Sequence, residues 1–406
     1  MSYAFNLFEV VVAENNTVYI SNVDYINNPE QPILFDEPIA KVYTKSTLWQ
    51  CSYFAQTTSG RLFAWGDNTH GQLGLNRTES LIGSPQEVIL PNHAKVAQVV
   101  LGVEYSAVLT DKGEVYVCGS NNYGQLGLAN QVINLIQFQK LDLSHLTHKP
   151  IAQLAAGAYH MLALSQDQKL IAWGNNRSGQ LGQKKSQVHL TNAKVMPQKV
   201  KLPYSVGAIT HIAAGIHHSM FLTEQGTVFC SGSNLVGQLG FGENISGSND
   251  FEFLKALKNE HIIGITTIDN YCMVWSDKGN CFYWGLSDSQ EIFTPQKYDG
   301  NVLKAICRAD GLSIVLAKQN DHYFFDYLGE NATSHLFDKH IEMKVIFERA
   351  FLNDYHQQIL EVPKSSASTT FKYRKFADVT LFTSVDESNI GQAELYSSHT
   401  SSHRKL

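Results

Sequence analysis

Trp65-Gly66-Asp67-Asn68-Thr69-His70-Gly71-Gln72-Leu73-Gly74 decides the fold, because it returns. It recurs as Cys118-Gly119-Ser120-Asn121-Asn122-Tyr123-Gly124-Gln125-Leu126-Gly127, then from Trp173 to Gly182 and from Ser231 to Gly240. The first residues at 65, 118, 173 and 231 are separated by 53, 55 and 58. A period near fifty in strand-rich sequence marks a propeller, in which each repeat is one blade that cannot bury its faces alone.

The segment before each phrase repeats as well. It reads Gly102-Val-Glu-Tyr105-Ser-Ala-Val-Leu109, Gly157-Ala-Tyr-His160-Met-Leu-Ala-Leu164 and Gly215-Ile-His-His218-Ser-Met-Phe-Leu222. Each is followed by a short turn and an alternating strand into the phrase, which is the pattern of a β-hairpin. Gly60, Gly113, Gly226 and Gly279 each stand five residues before the position held by Trp65. A left-handed backbone costs glycine least there. Asn16 before Ser21 and Asn320 before Phe325 extend the offset to weaker copies, since Asn tolerates positive φ.

The hairpin marker thus falls at Phe8, Ser52, Tyr105, His160, His218, Tyr271, Leu312 and His356. Seven markers carry a full hairpin; the eighth has a strand, residues 351–362, and no matching phrase. The expected fold is an all-β, seven-bladed β-propeller over residues 1–362, with the two chain ends completing one blade together. An eight-bladed ring is the competing count. Residues 363–382 read as a linker with one possible closing strand, and 383–406 as a polar, mobile tail that could hold a sorting signal. Residues 251–260 and 335–352 break the strand pattern and suit short helices or irregular loops.

Within the phrase, each repeated residue has a structural use. The two glycines permit a tight turn, the Leu fills the space between blades, and the Gln bonds turn backbone that would otherwise be unsatisfied. The sixth and seventh copies, at Leu286 and Tyr327, have lost the string and should be less regular.

Composition narrows the function. With 37 acidic against 31 basic side chains the chain carries a formal charge of -6, which disfavours nucleic acid as the direct partner. The six cysteines lack metal-ligand spacing, so reduced thiols and a cytosolic setting are expected. Cys118 stands where sister copies have Trp and should be a packed strand residue; Cys272 and Cys281 should face Trp284 and Trp275 across a hairpin. No apolar run is long enough to span a bilayer, and the N-terminus is a poor signal peptide.

No phosphate-cradling GxxxxGK[ST], HExxH or CxxC string occurs, so no catalytic site, cofactor or metal is expected. His217 and His218 are adjacent on a strand and point to opposite faces, which is wrong for shared ligation. His160 and His218 are expected to bond neighbouring backbone near the channel.

The phrase Trp-Gly-x-Asn-x-x-Gly-Gln-Leu-Gly, preceded by Ala-Gly-x-x-His-x-x-x-Leu, resembles the repeat of the regulator of chromosome condensation family. Residues 156–182 and 214–240 carry it most fully. The resemblance implies a seven-bladed propeller and a protein partner. The founding member is an exchange factor for the small GTPase Ran that uses an inserted wedge. Other members act as scaffolds, inhibit β-lactamases, or are delivered by intracellular bacteria into the host cytosol to engage GTPases. Here the marker-to-phrase distance is 13 in every alignable copy, so no wedge is visible.

The two residues before each marker should ring one mouth of the channel, on the loop entering each inner strand: Gln50/Cys51, Val103/Glu104, Ala158/Tyr159, Ile216/His217, Asp269/Asn270, Asp310/Gly311 and Asp354/Tyr355. The expected partner site is Glu104, Tyr105, Tyr159, His217, Asp269, Asn270, Asp310, Asp354 and Tyr355, an acidic, aromatic face for a basic surface on a small GTPase. The irregular arc near Asp269 and Asp310 is the expected contact region. The phrase residues Asp67, Asn122, Arg177 and Asn234 are assigned to the opposite face, and the chain is expected to be a monomer.

Overall fold

A computed structural model describes residues 2–5, 9–22, 32–46, 51–128, 133–183, 194–203, 206–287, 290–307, 313–319, 322–328, 369–372 and 382–385. Its strands form seven sheets, six of four strands and one of five. Blade 3 shows the plan, with Val96–Leu101, Tyr105–Thr110, Val115–Ser120 and Asn134–Leu141 pairing in succession. Blades 1 to 7 span 2–34, 39–88, 96–141, 151–199, 209–253, 262–298 and 302–328, the last joined by Thr369–Lys372 and Phe382–Val385. The first strands of consecutive blades lie against one another and line the centre.

Hairpin register repeats as the spacing requires. Ser52 pairs with Gly66, Tyr105 with Gly119, His160 with Gly174, His218 with Gly232 and Tyr271 with Gly285. Gly60, Gly113, Gly226 and Gly279 all have positive φ, and Gln168 takes that role in blade 4. In blade 1 the left-handed residue is Asn15, one earlier than expected, because Glu14 and Thr17 close the hairpin and leave Asn15 as first turn residue. Asn320 lies outside the described residues.

Three expectations change. No described sheet combines strands from both chain ends: blade 1 takes its own outer strand from Ile33–Leu34, while blade 7 recruits Thr369–Lys372 parallel to His322–Leu328. The strand expected at 351–362 lies outside the described residues, as does 335–352. The described markers, Ser52, Tyr105, His160, His218 and Tyr271, sit on the second strand of their blades, not the innermost, because another strand pairs with the channel side of each, while Phe8, Leu312 and His356 lie outside the described residues. Blade 6 keeps four antiparallel strands without the phrase, since Cys281–Ser287 runs almost directly into Gln290–Tyr298. Residues 251–260 hold the end of one strand and a 3-10 turn at Lys255–Leu257.

The apolar core lies in seams between blades. Leu73 packs with Cys118 and Phe138 of the next blade, Leu126 with Trp173, Leu181 with Phe221 and Phe251, and Leu239 with Cys272 and Trp284. All four leucines are fully buried. Hydrogen bonds follow the same seams. The carbonyl of the phrase glutamine accepts from the first phrase position one blade on: Cys118 Sγ reaches Gln72, Trp173 Nε1 reaches Gln125 at 2.9 Å and Trp284 Nε1 reaches Gln238 at 3.1 Å. Cys118, Cys272 and Cys281 are free, and the last two face Trp284 and Trp275.

Marker side chains cross the seam too. The Tyr105 hydroxyl donates to the carbonyls of His160, at 2.6 Å, and Gly157, at 3.1 Å. His160 Nε2 meets Ser219 Oγ at 2.9 Å, and His218 Nε2 meets Thr267 Oγ1 at 2.9 Å and Cys272 Sγ at 3.1 Å. Both histidines therefore bond side chains of the next blade, and His160 also meets the backbone of His218, so neighbouring backbone is only part of what holds them. Each ring brings its Cε1 and Nδ1 against the glycine three residues before it. A Cβ on Gly157 would stand 2.0 Å from His160 Cε1, and one on Gly215 2.1 Å from His218 Cε1.

Burial, and to a lesser extent neighbouring histidines, pushes both imidazoles down to about 3. The unfolded chain takes up these protons near pH ~6.5, whereas the folded chain does not until far lower. Between those values the unfolded state binds more protons, so stability falls with acidification, by about 1.4 kcal/mol per pH unit for each histidine. Unfolding free energies from pH ~7.5 to ~4.5 should show this slope, and His160→Gln should flatten it by about one proton. An unchanged slope would contradict the seam assignment. Gly157→Ala should cost about 2 kcal/mol by overpacking. Gly83→Ala, where a new Cβ meets nothing within 4 Å, should be close to neutral by the same denaturant measurement.

Candidate functional site

The phrase turn is held by its own side chains. In four blades the Gln side-chain oxygen accepts from the backbone two residues earlier: His70, Tyr123, Ser178 and Val236, at 2.8 to 3.0 Å. The Asn oxygen accepts from the phrase leucine five residues on, at Leu73, Leu126, Leu181 and Leu239. These residues are buried and committed to the turn, which leaves the fifth and sixth phrase positions for the surface.

The turn between the first and second strands of a blade meets that blade's phrase. Carbonyls of Glu104, Tyr159, His217 and Asn270 accept from the amides of Ser120, Asn175, Ser233 and Leu286 at 2.8 to 3.1 Å. Phrase and turn therefore share one face, which corrects their assignment to opposite faces. Parity gives the reason: the second strand leaves this face and the third returns to it. The turns also touch one another. Val103 N–H donates to Ala158 O at 3.1 Å and Ile216 N–H to Asp269 O at 2.8 Å.

Six of the nine expected site residues lie among those described. Glu104 is half-buried, with its carboxylate 4.0 Å from His70 Nε2 of the preceding blade's phrase. Tyr159 is half-buried and packs on Tyr123, ring centroids 4.6 Å apart at 44°, while the Arg177 guanidinium stands 5.8 Å over Tyr123. Burial first and the Glu104 charge second push the Tyr159 hydroxyl up. His217 is half-buried and shifted down by burial, while its neighbour His218 is inside the seam. Asn270 accepts from Gln238 Nε2 at 3.3 Å.

Two residues take different roles. Tyr105 is buried, 1% exposed, and is a seam residue rather than a surface one, because the marker strand is covered by the next blade. Asp269 accepts from Lys45 Nζ at 3.1 Å, with both side chains under one-fifth exposed. Lys45 belongs to blade 2 and Asp269 to blade 6, so this ion pair crosses the central channel. Asp310, Asp354 and Tyr355 lie outside the described residues.

His70, Tyr123 and Lys45 are not among the expected contacts, and Arg177 is expected only on the opposite face. The signal for His70 and Tyr123 was their position, the sixth of the phrase, where copies differ while flanking Gly and Gln do not. Exposed apolar side chains gather on the same end of the regular blades: Leu81, Ile133, Met196, Leu235 and Ile245 border the phrases or start outer strands. Among the described residues no group of three His, Cys, Asp or Glu is placed to hold a metal. No helix there is long and apolar enough to cross a membrane. A polar groove of about 570 Å³ lies between Glu243, Asn244 and the outer strand of blade 6, without convergent reactive groups.

Comparison with known proteins agrees with this architecture. A profile described as RCC1-like domain matches residues 22–310. Human probable E3 ubiquitin-protein ligase HERC6 is 34% identical over 45% of this chain and 17% of its own length. Ultraviolet-B receptor UVR8 of Arabidopsis thaliana is 27% identical over 62% of this chain and 55% of its own. Secretion-regulating guanine nucleotide exchange factor of Bos taurus is 30% identical over 57% and 49%. The chain thus spans about half or less of the length of these relatives. Among solved structures, human WBSCR16 superposes with TM-score 0.65 at 22% identity, covering 79% of this chain and 87% of that one. Yeast RCC1 (Prp20), solved with Kap60, gives 0.64 at 17% identity, covering 79% and 80%. With seven blades, four of them carrying the repeated phrase, and a profile match over residues 22–310, the chain belongs to the RCC1-like domain family.

Proposed function

We propose that this propeller is a protein-binding module whose phrase-bearing face engages a small GTPase and alters its nucleotide state. The observation carrying this reading is the convergence on one face, in blades 2 to 5, of the variable phrase positions, the interlocked turns and the exposed apolar side chains. Aromatic anchors with a polar rim supply contact energy, and uncompensated charge supplies on-rate. Relatives named as guanine nucleotide exchange factors support the choice of partner class. The free cysteines of the described strands suit a reducing compartment, which supports the cytosol as the setting.

A second reading, a scaffold or occluding inhibitor without effect on nucleotide turnover, is favoured by the tightness of the turns. Residues 102–104, 157–159, 215–217 and 269–270 connect first to second strands with no inserted segment that could reach a phosphate site.

Small GTPases loaded with fluorescent nucleotide separate the readings. Binding with accelerated release is expected under the first; binding at an unchanged release rate leaves the scaffold, and no binding to any GTPase removes the first. In a GTPase complex, Glu104→Lys and Tyr123→Ala should each weaken affinity about thirtyfold, as loss of a ~2 kcal/mol anchor requires. Lys112→Glu, in the hairpin turn at the other end of blade 3, should leave affinity within about twofold.

A further inference from the structure

We propose that the surface bounded by Glu104, Tyr159 and Tyr123 seats an arginine side chain carried on a protruding loop of the protein partner. The proposal rests on the phrase-bearing face being the binding face and names the chemistry of its anchor. Glu104 and Tyr159 occupy abutting turns, joined by the Val103 to Ala158 hydrogen bond of 3.1 Å. The carboxylate of Glu104 has no hydrogen-bonded cation among the described residues. His70 Nε2 stands 4.0 Å away, beyond hydrogen-bond reach, and His70 Nδ1 has no partner. Asp269, the equivalent acid in blade 6, already holds Lys45.

The aromatic half of the site points the same way. Tyr123 and Tyr159 pack at 4.6 Å, and the protein places the Arg177 guanidinium 5.8 Å over Tyr123. One guanidinium thus already lies over Tyr123, and no cation stands over the Tyr159 ring among the described residues. A planar guanidinium can stack on a phenol ring and donate two parallel N–H bonds to a carboxylate, which a compact ammonium cannot do together. An anion would be repelled by Glu104. A neutral group would leave that half-buried charge unmatched.

The test uses the full chain labelled with [13Cε]tyrosine and the tripeptide Gly-Arg-Gly as probe, followed by NMR. The Tyr123 and Tyr159 signals, assigned through Tyr→Phe variants, should shift and saturate in the low-millimolar range. Gly-Lys-Gly should bind about tenfold more weakly, and Gly-citrulline-Gly, which keeps the shape without the charge, should leave both signals in place. Glu104→Gln should abolish the arginine response while the remaining tyrosine signals hold their positions. Tyr123→Leu, which keeps the carboxylate, should weaken it about tenfold. A response equal for citrulline and arginine, a response that survives Glu104→Gln, or no shift at the highest peptide concentration would each overturn the proposal. The tripeptide contains no GTPase, so this failure and failure of the GTPase reading are separate: the anchor can hold with another partner class, and a GTPase can bind without it.

Discussion

The seam between adjacent blades is the constraint on which the rest depends. A four-stranded sheet exposes two faces, and neither is buried until another blade covers it. The phrase leucines fill that space at zero exposure, and many of the polar atoms trapped beside them are matched across it, although His160 Nδ1 and His218 Nδ1 have no hydrogen-bond partner among the described residues. Trp173 and Trp284 donate to the phrase glutamine carbonyls of the blade before, and Tyr105, His160 and His218 reach the blade after. A buried donor or acceptor without a partner would cost about 1–3 kcal/mol. The repeat therefore conserves shape and hydrogen bonding together. Only glycine at 157 and 215 lets a ring lie against the backbone where it can make the next contact.

The same seam builds the candidate site. Because the second and third strands form an even number of reversals, every phrase returns to the face from which its blade's first turn emerged. Adjacent blades then bring the sixth phrase residue of one against the turn of the next, as His70 against Glu104 and Tyr123 against Tyr159. Phrase positions tied to the turn are fixed by their bonds, and the two left over can vary without cost to the fold. Variation between copies at those positions is the signature of a surface free to specify a partner.

The period, the hairpins, the positive-φ glycines and the Cys–Trp register were legible in the sequence because they are local: each is set within about a dozen residues by turn chemistry and strand alternation. Facing was not, because it depends on counting strands before the marker, and the inner strands carry no phrase. That miscount placed Tyr105 at the surface, where its side chain instead donates across a buried seam, and put the phrase on the wrong face. The Lys45–Asp269 pair was beyond reach for another reason: its members are 224 residues apart and meet only once the ring brings blade 2 opposite blade 6. A closing strand within 363–382 is expected from the sequence, but that Thr369–Lys372 joins blade 7 in parallel is a pairing that alternation cannot announce.

That cross-channel pair also redirects attention around the ring. An acid is available to a partner only in proportion to the cation it lacks, since removing a paired charge from its mate must be repaid by the newcomer. Asp269, on the less regular arc, has Lys45 at 3.1 Å and is mostly covered. Glu104, on the regular arc, has only a histidine at 4.0 Å and sits beside two packed tyrosines whose rings are tilted by 44°. An acid without a close cation is therefore found on the regular arc too. The regular seams supply a rigid frame, and the rigid frame is what can hold an aromatic pair and an unmatched carboxylate at fixed spacing.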